Sequence, residues 1–290
     1  MSTAVGVVTD STCYLPAELV ARSGVVVVPL DVVVGGVAHA EGDVAPADLA
    51  AALRRWTPVS TSRPAPAALL GAYEVLRDRG ASEVVSVHLS GDISGTCAAA
   101  RLAARSSPVP VHVVDSRQLG MGLGYAVLAA AAAAERGQDA PGVSRAASAR
   151  AADTRVLFYV DTLEHLRRGG RIGSAQALIG SALAVKPLLH LLDGRVEPLE
   201  RVRTSTRALA RLLELASDAV ARMPGTSRLV EVTVHHLASL RRAEELAGRL
   251  AERLGGALAD GAAPRVIEVG AVVGAHVGPG MVAVVVSPAA

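Results

Sequence analysis

Short apolar runs and small polar interruptions alternate along most of this chain, and the spacing changes from period two to period 3.6 and back. Val5 to Asp10 reads as a buried strand, Asp10-Ser11-Thr12 as a polar turn, and Pro16 to Arg22 as a helix. Val25 to Val34 is a β-branched run broken by Pro29, and Gly35-Gly36 is a hairpin turn. Pro46 opens a helix through Trp56 whose apolar face is Leu49, Ala52 and Leu53. Pro64 or Pro66 opens the next helix, which runs to Arg79 and ends at Gly80.

A strand, turn, helix pattern then repeats. Val84 to Leu89 and Val109 to Val114 read as strands, with helices over Cys97 to Ala104 and over the alanine-rich Leu119 to Ala134. Such alternation predicts a parallel sheet with helices on its faces. After a strand at Val156 to Val160 the pattern changes. Leu188 to Leu192, Asp193-Gly194 and Val196 to Val202 form an antiparallel hairpin. Helices follow over Arg207 to Met223 and Leu240 to Leu254, the latter with a stripe of Leu240, Ala243, Leu246, Ala247, Leu250 and Leu254. Strands at Val230 to Val234, Val266 to Val269 and Met281 to Val286 complete the chain. The expectation is an α/β protein of two α/β domains, 1–160 with a mostly parallel sheet and 161–290 with a mixed sheet.

Composition narrows this picture. Of 290 residues 51% are hydrophobic and only 2% aromatic, so the core is aliphatic. A net charge of +2, without an aromatic RNA-binding cluster or a long basic arm, argues against nucleic acid as a partner. Cys13 and Cys97 match no metal or redox spacing and read as free thiols of a reducing compartment. Met1 to Asp10 lacks the charge and apolar pattern of a signal peptide. Leu119 to Ala134 is too short and too rich in Gly and Ala to span a membrane. A cytoplasmic protein is expected.

Three polar turns follow apolar runs: Thr61-Ser62-Arg63-Pro64, Ser94-Gly95-Thr96 and His276-Val277-Gly278-Pro279-Gly280. Each pairs small residues with a hydroxyl or imidazole able to hydrogen-bond an anion, so together they could serve one small acidic group. Each also has a plainer reading. Ser94 or Thr96 can cap a helix, Thr61-Ser62 can do the same before Pro64, and His276 can be a satisfied core histidine. Arg167 to Gly173 is the densest basic cluster, suited either to an anion or to a glycine-capped helix end. A serine hydrolase built on Ser94 and His276 would need G-x-S-x-G, whereas Gly91-Asp92-Ile93-Ser94-Gly95 is spaced one residue off. No nucleotide-binding glycine motif is present, and adjacent His235-His236 would point to opposite strand faces, which disfavours a shared metal.

Read in order, several segments together resemble the DegV family of bacterial fatty-acid-binding proteins. They are Val8 to Thr12, Thr61 to Pro64, Ser90 to Thr96, Val114-Asp115-Ser116, Leu163 to Gly173, Lys186-Pro187, Val202-Arg203-Thr204 and His276 to Gly280. Arg63 and Ala65 depart from the family's usual Gln and Ser. The resemblance implies the family's two-domain fold, no cofactor, and a buried long-chain fatty acid whose carboxylate is held by Thr61, Ser94, the Gly95 amide and His276. About ten buried methylenes at about 0.8 kcal/mol each would give the tail about 8 kcal/mol before the costs of association. It further implies a non-catalytic carrier that presents the acid to a dihydroxyacetone-kinase-like ATP-binding subunit for acyl-phosphate formation. Arg171 and Arg203 would then face that partner or steady phosphoryl charge, and a membrane would be touched transiently for lipid exchange. The alternatives are the stand-alone hydrolase or acyltransferase, and a lipid-binding regulatory or transport module without a kinase.

Overall fold

The computed structural model describes residues 4–178, 186–223 and 229–289. The elements begin β1 (Val5–Asp10), α1 (Ala17–Ser23), β2 (Val26–Val28), β3 (Asp31–Val34), β4 (Val37–Ala40), α2 (Pro46–Arg54) and β5 (Val59–Ser62). They continue α3 (Pro66–Asp78), β6 (Glu83–His88), α4 (Thr96–Ala104), β7 (Val111–Asp115), α5 (Met121–Glu135), α6 (Ala140–Asp153), β8 (Arg155–Tyr159) and α7 (Glu164–Arg168). The rest are β9 (Lys186–Leu192), β10 (Arg195–Val202), α8 (Ser205–Ala221), β11 (Val230–His236), α9 (Leu240–Leu254), β12 (Arg265–Glu268), α10 (Ala271–Val277) and β13 (Val282–Pro288).

Two compact units share the chain: Met1–Asp31 with Ser62–Ala152, and Val32–Thr61 with Asp153–Ala290. This division differs from a single cut at residue 160, because Val32–Thr61 belongs with the later residues. The reason is packing. Glu41 is buried and accepts the Val272 amide at 2.9 Å, and Leu49 of α2 lies against Gly274 of α10, where a Cβ would come within 2.5 Å of Leu49 Cδ2. A run of strand and helix signals does not reveal which distant partner an excursion packs on.

In the first unit four parallel strands lie in the order β2-β1-β6-β7. Alternation along β1 and β6 sends Val8 and Val84 to a core with Leu69, Tyr73 and Leu76 of α3 and the alanines of α4. Val7, Val85 and Val87 point into a second core with Leu123, Val127 and Ala130 of α5 and Val143 and Ala147 of α6. The alanine-rich α5 is thus a buried helix, and close approach is what its small residues permit: a Cβ on Gly124 would reach 2.7 Å from the Cys13 carbonyl oxygen. Helix α6 leaves little trace in the sequence, since its buried face is chiefly Ala140, Val143, Ala147 and Ala151 and carries little hydrophobic contrast.

The second unit holds a six-stranded mixed sheet, β10-β9-β8-β13-β11-β12, in which β11 and β12 run parallel and the other neighbours antiparallel. Helices α8 and α9 seal it, with Leu212, Leu213, Leu246 and Leu250 packed on Val232, Val284 and Val286. The β9–β10 hairpin turns at Asp193 (φ 49°) and Gly194 (φ 81°), both left-handed as the expected turn requires. Pro198, which cannot donate to a ladder, sits beside the register shift in edge strand β10. Strands β4-β3-β5 form a small sheet of their own.

Candidate functional site

Thr61 and His276, 215 residues apart, meet at 2.8 Å between Oγ1 and Nε2. Their local settings differ from the turns expected for them. Thr61 lies in strand β5, and His276 in the last turn of α10, with Gly278 and Gly280 following it in left-handed conformations. Regular structure therefore aims both side chains.

His276 Nδ1 is buried and has no hydrogen-bond partner among the described residues. Gly169 stands directly against it, and a Cβ there would collide with Nδ1. Burial, and secondarily the Arg171 guanidinium, pushes the pKa of His276 down to about 4, so the ring is neutral at pH 7. A buried lone pair without a partner is better tolerated than a buried N–H without one, which favours the tautomer protonated on Nε2. That tautomer donates to Thr61 Oγ1 and turns the threonine hydroxyl into a donor for a third group. A neutral relay ending in an O–H is suited to an anion.

The pair opens on a cavity of about 570 Å³ within the second unit, walled by Val33, Leu53, Pro58 and Val59 and by the polar side chains of Trp56, His165, Arg168 and Arg171. Arg171 reaches it because the basic segment ends a helix. The Arg171 amide donates to the Leu166 carbonyl at 3.0 Å and the Gly170 amide to the Arg167 carbonyl at 3.1 Å, with Gly170 at φ 68°. This is a glycine-based C-terminal cap, and its tail carries the arginine, whose Nη1 donates to the Gly169 carbonyl at 2.6 Å. The helix-end reading of Arg167 to Gly173 is met by this cap, and the same piece of chain places Arg171 at the cavity wall.

Trp56, His165 and Arg168 form a stack that sequence reasoning missed. The rings of Trp56 and His165 lie 5.6 Å apart at 15°, and the Arg168 guanidinium sits 4.4 Å from the indole centroid. Glu164 fixes Arg168 at 2.6 Å and Arg167 at 2.7 Å, which holds its own carboxyl down to about 2. The available signal was that Trp56 is the chain's one tryptophan and follows a helix end; its φ of 58° and its partners more than 100 residues away leave no periodic trace.

Ser94 and Gly95 belong to the first unit. Gly95 takes the cap position of α4, while Ser94 Oγ accepts the Thr96 amide at 3.3 Å and pairs with Thr96 Oγ1 at 2.8 Å. Arg63 lies along Gly95, where a Cβ would stand 3.0 Å from Arg63 Cδ. Asp115 anchors the start of this loop, accepting the Gly91 amide at 3.1 Å. Arg203 is exposed in the bend between β10 and α8. Of the expected site residues, the second unit brings Thr61, His276 and Arg171 together, and Arg203 does not line their cavity.

A serine, a histidine and a carboxylate do align elsewhere in the first unit. His88 Nδ1 is 3.0 Å from Asp10 Oδ2, and its Nε2 is 2.7 Å from Ser86 Oγ. All three residues are fully buried, so no substrate reaches the serine, and the line serves structure. No group of three or more metal-ligating side chains occurs among the described residues, and no helix there is long and apolar enough to cross a membrane.

The model of the DegV family, described as an uncharacterised protein family, matches residues 4–289. This chain belongs to the DegV family. It is 53% identical to a DegV domain-containing protein of Streptomyces coelicolor over 99% of each chain. In three dimensions it is similar to the fatty-acid-binding DegV family protein of Thermus thermophilus, with a TM-score of 0.88, 32% identity and coverage of 99% of this chain and 100% of the other. DegV of Bacillus subtilis, a fatty-acid-binding protein, is similar at a TM-score of 0.88 and 29% identity, with the same coverage. The two α/β units, one parallel and one mixed, are the architecture of this DegV chain.

Proposed function

We propose that this DegV protein binds a long-chain fatty acid and carries it rather than transforming it. The observation that supports the reading most is the Thr61–His276 pair, a neutral donor relay facing a cavity that also holds Arg171. The fatty-acid-binding relatives from Thermus thermophilus and Bacillus subtilis, alike over nearly the whole chain, supply the ligand class. In this reading the Thr61 hydroxyl donates to the carboxylate and Arg171 adds favourable potential. Ser94 and the Gly95 amide take a share of the carboxylate on the strength of the family motif alone.

The acid is then presented to an ATP-binding kinase subunit of the dihydroxyacetone-kinase type, with Arg203 toward that partner and Arg171 close to the transferred phosphoryl group. A cytoplasmic setting with lipid exchange at a membrane belongs to the same reading. The hydrolase alternative gains nothing, because no acid orients His276 at Nδ1 among the described residues.

Binding of oleic acid to delipidated protein tests the proposal. Thr61→Val keeps a β-branched strand residue but deletes the donor, and is expected to weaken binding about tenfold, as is Ser94→Ala. Thr61→Ser should restore most of the loss. Absence of any saturable uptake by the unmodified protein, together with no fatty acid in its extracted lipid, would overturn it.

A further inference from the structure

The chain that leaves His276 runs on into a second cavity. Pro279 and Gly280 line a space of about 520 Å³ in the second unit, whose other walls are Arg54 at the end of α2, Asp161 after β8, and the head of α9, where Ser239, Arg241 and Arg242 stand beside the apolar Ala238 and Leu240. Asp161 is the single carboxylate among these lining residues, and it is already engaged. The Tyr159 hydroxyl donates to it, Lys186 Nζ lies 3.5 Å away and Arg242 Nη1 3.7 Å away. The Arg54 side chain has no hydrogen bond or ion pair among the described residues. Among the described residues the Arg241 guanidinium has a single long contact, to Glu245 at 3.9 Å. Ser239 caps nothing with its hydroxyl.

Three arginines, Arg54, Arg241 and Arg242, therefore stand against one carboxylate around this space. Guanidinium groups arriving from two different elements present planar forks that match phosphate oxygens, and they retain their charge at every accessible pH. The first turn of α9 adds potential of the same sign, although the guanidiniums supply the recognition. We propose that this second cavity is a binding site for a phosphate group, carried either by a small free phosphate compound or by a phospholipid headgroup. It is distinct from the Thr61–His276 cavity and does not depend on the fatty-acid reading.

Calorimetric titration of the full chain with inorganic phosphate in chloride buffer tests the site, beside capture by vesicles of phosphatidylglycerol and of phosphatidylcholine. Saturable phosphate binding is expected, weakened about tenfold by Arg54→Gln and unchanged by Arg253→Gln at the far end of α9. Arg54 is exposed and unpaired, so its substitution leaves the melting temperature in place. Arg242→Gln provides a second reading from the other wall. Vesicle capture lost in Arg54→Gln, without binding of free phosphate, would assign the site to a headgroup. No saturable phosphate binding and no Arg54-dependent capture, or phosphate binding untouched by both substitutions, would overturn the proposal.

Discussion

His276 is a histidine kept from being charged. Its burial and the neighbouring Arg171 act in the same direction, and Gly169 leaves the ring just enough room. In NMR titrations its resonances are expected to move near pH 4, well below the ordinary range, and Arg171→Gln should raise that midpoint by removing a repulsive cation. A midpoint near 6.5 in the unmodified protein would contradict the account. Gly169→Ala puts a methyl group onto Nδ1, so the ring must leave Thr61, and fatty-acid affinity should fall at least as far as in Thr61→Val. At this scale the sequence was half legible. A hydroxyl and an imidazole near small residues announced Thr61 and His276, but their meeting did not, since nothing local records a contact across 215 residues. The helical state of His276 was hidden because α10 is seven residues long, β-branched at Val272, Val273 and Val277, and flanked by glycines.

Among the elements, the ends of β1 and β6 are locked by a buried polar line. Asp10 accepts Thr12 N at 3.2 Å, Thr12 Oγ1 at 2.5 Å and Leu89 N at 3.0 Å, besides His88; Ser86 continues from His88 to Tyr73 Oη at 3.1 Å. Burial raises the pKa of Tyr73, which keeps it a neutral donor. Asp10→Ala leaves these donors unsatisfied in a closed core and is expected to cost about 3–5 kcal/mol by urea unfolding. A loss under about 1 kcal/mol would mean water replaces the carboxylate freely. Periodicity located α9 to the residue and the two glycine-containing hairpin turns correctly, because exposed amphipathic helices and left-handed turns are written locally. It marked Leu240 for the apolar stripe, yet that residue is 53% exposed and lines the second cavity instead of the core. Low-contrast α6 and the excursion Val32–Thr61 were illegible for the complementary reason that their partners, and not their own patterns, define them.

For the molecule as a whole, acid sensitivity should be uneven. His165, His190, His235, His236 and His276 all have lowered pKa values, with burial the largest cause in each, and all five lie in the second unit. Between the unfolded value near 6.5 and the folded values, reaching about 4 for His235 and His276, the unfolded chain binds more protons. Stability therefore rises with pH across that window and is lost as pH falls through it. Glu164 works in the same direction at lower pH, its contribution being lost as pH falls from the ordinary carboxylate value near 4.5 toward its folded value of about 2. Trp56 belongs to the second unit and reports on it alone. Its fluorescence transition in urea is expected to shift to lower denaturant between pH 6.5 and 4 by more than the transition seen by far-ultraviolet circular dichroism. Coincident, pH-independent transitions would contradict this.

The same tryptophan gives the most direct measurement of the central claim, because it lines the cavity that Thr61 and His276 face. Delipidated protein titrated with oleic acid should show a saturable change in Trp56 emission, shifted to about tenfold higher ligand in Thr61→Val. Emission that stays flat while the acid binds, or a titration identical in the variant, would place the ligand elsewhere.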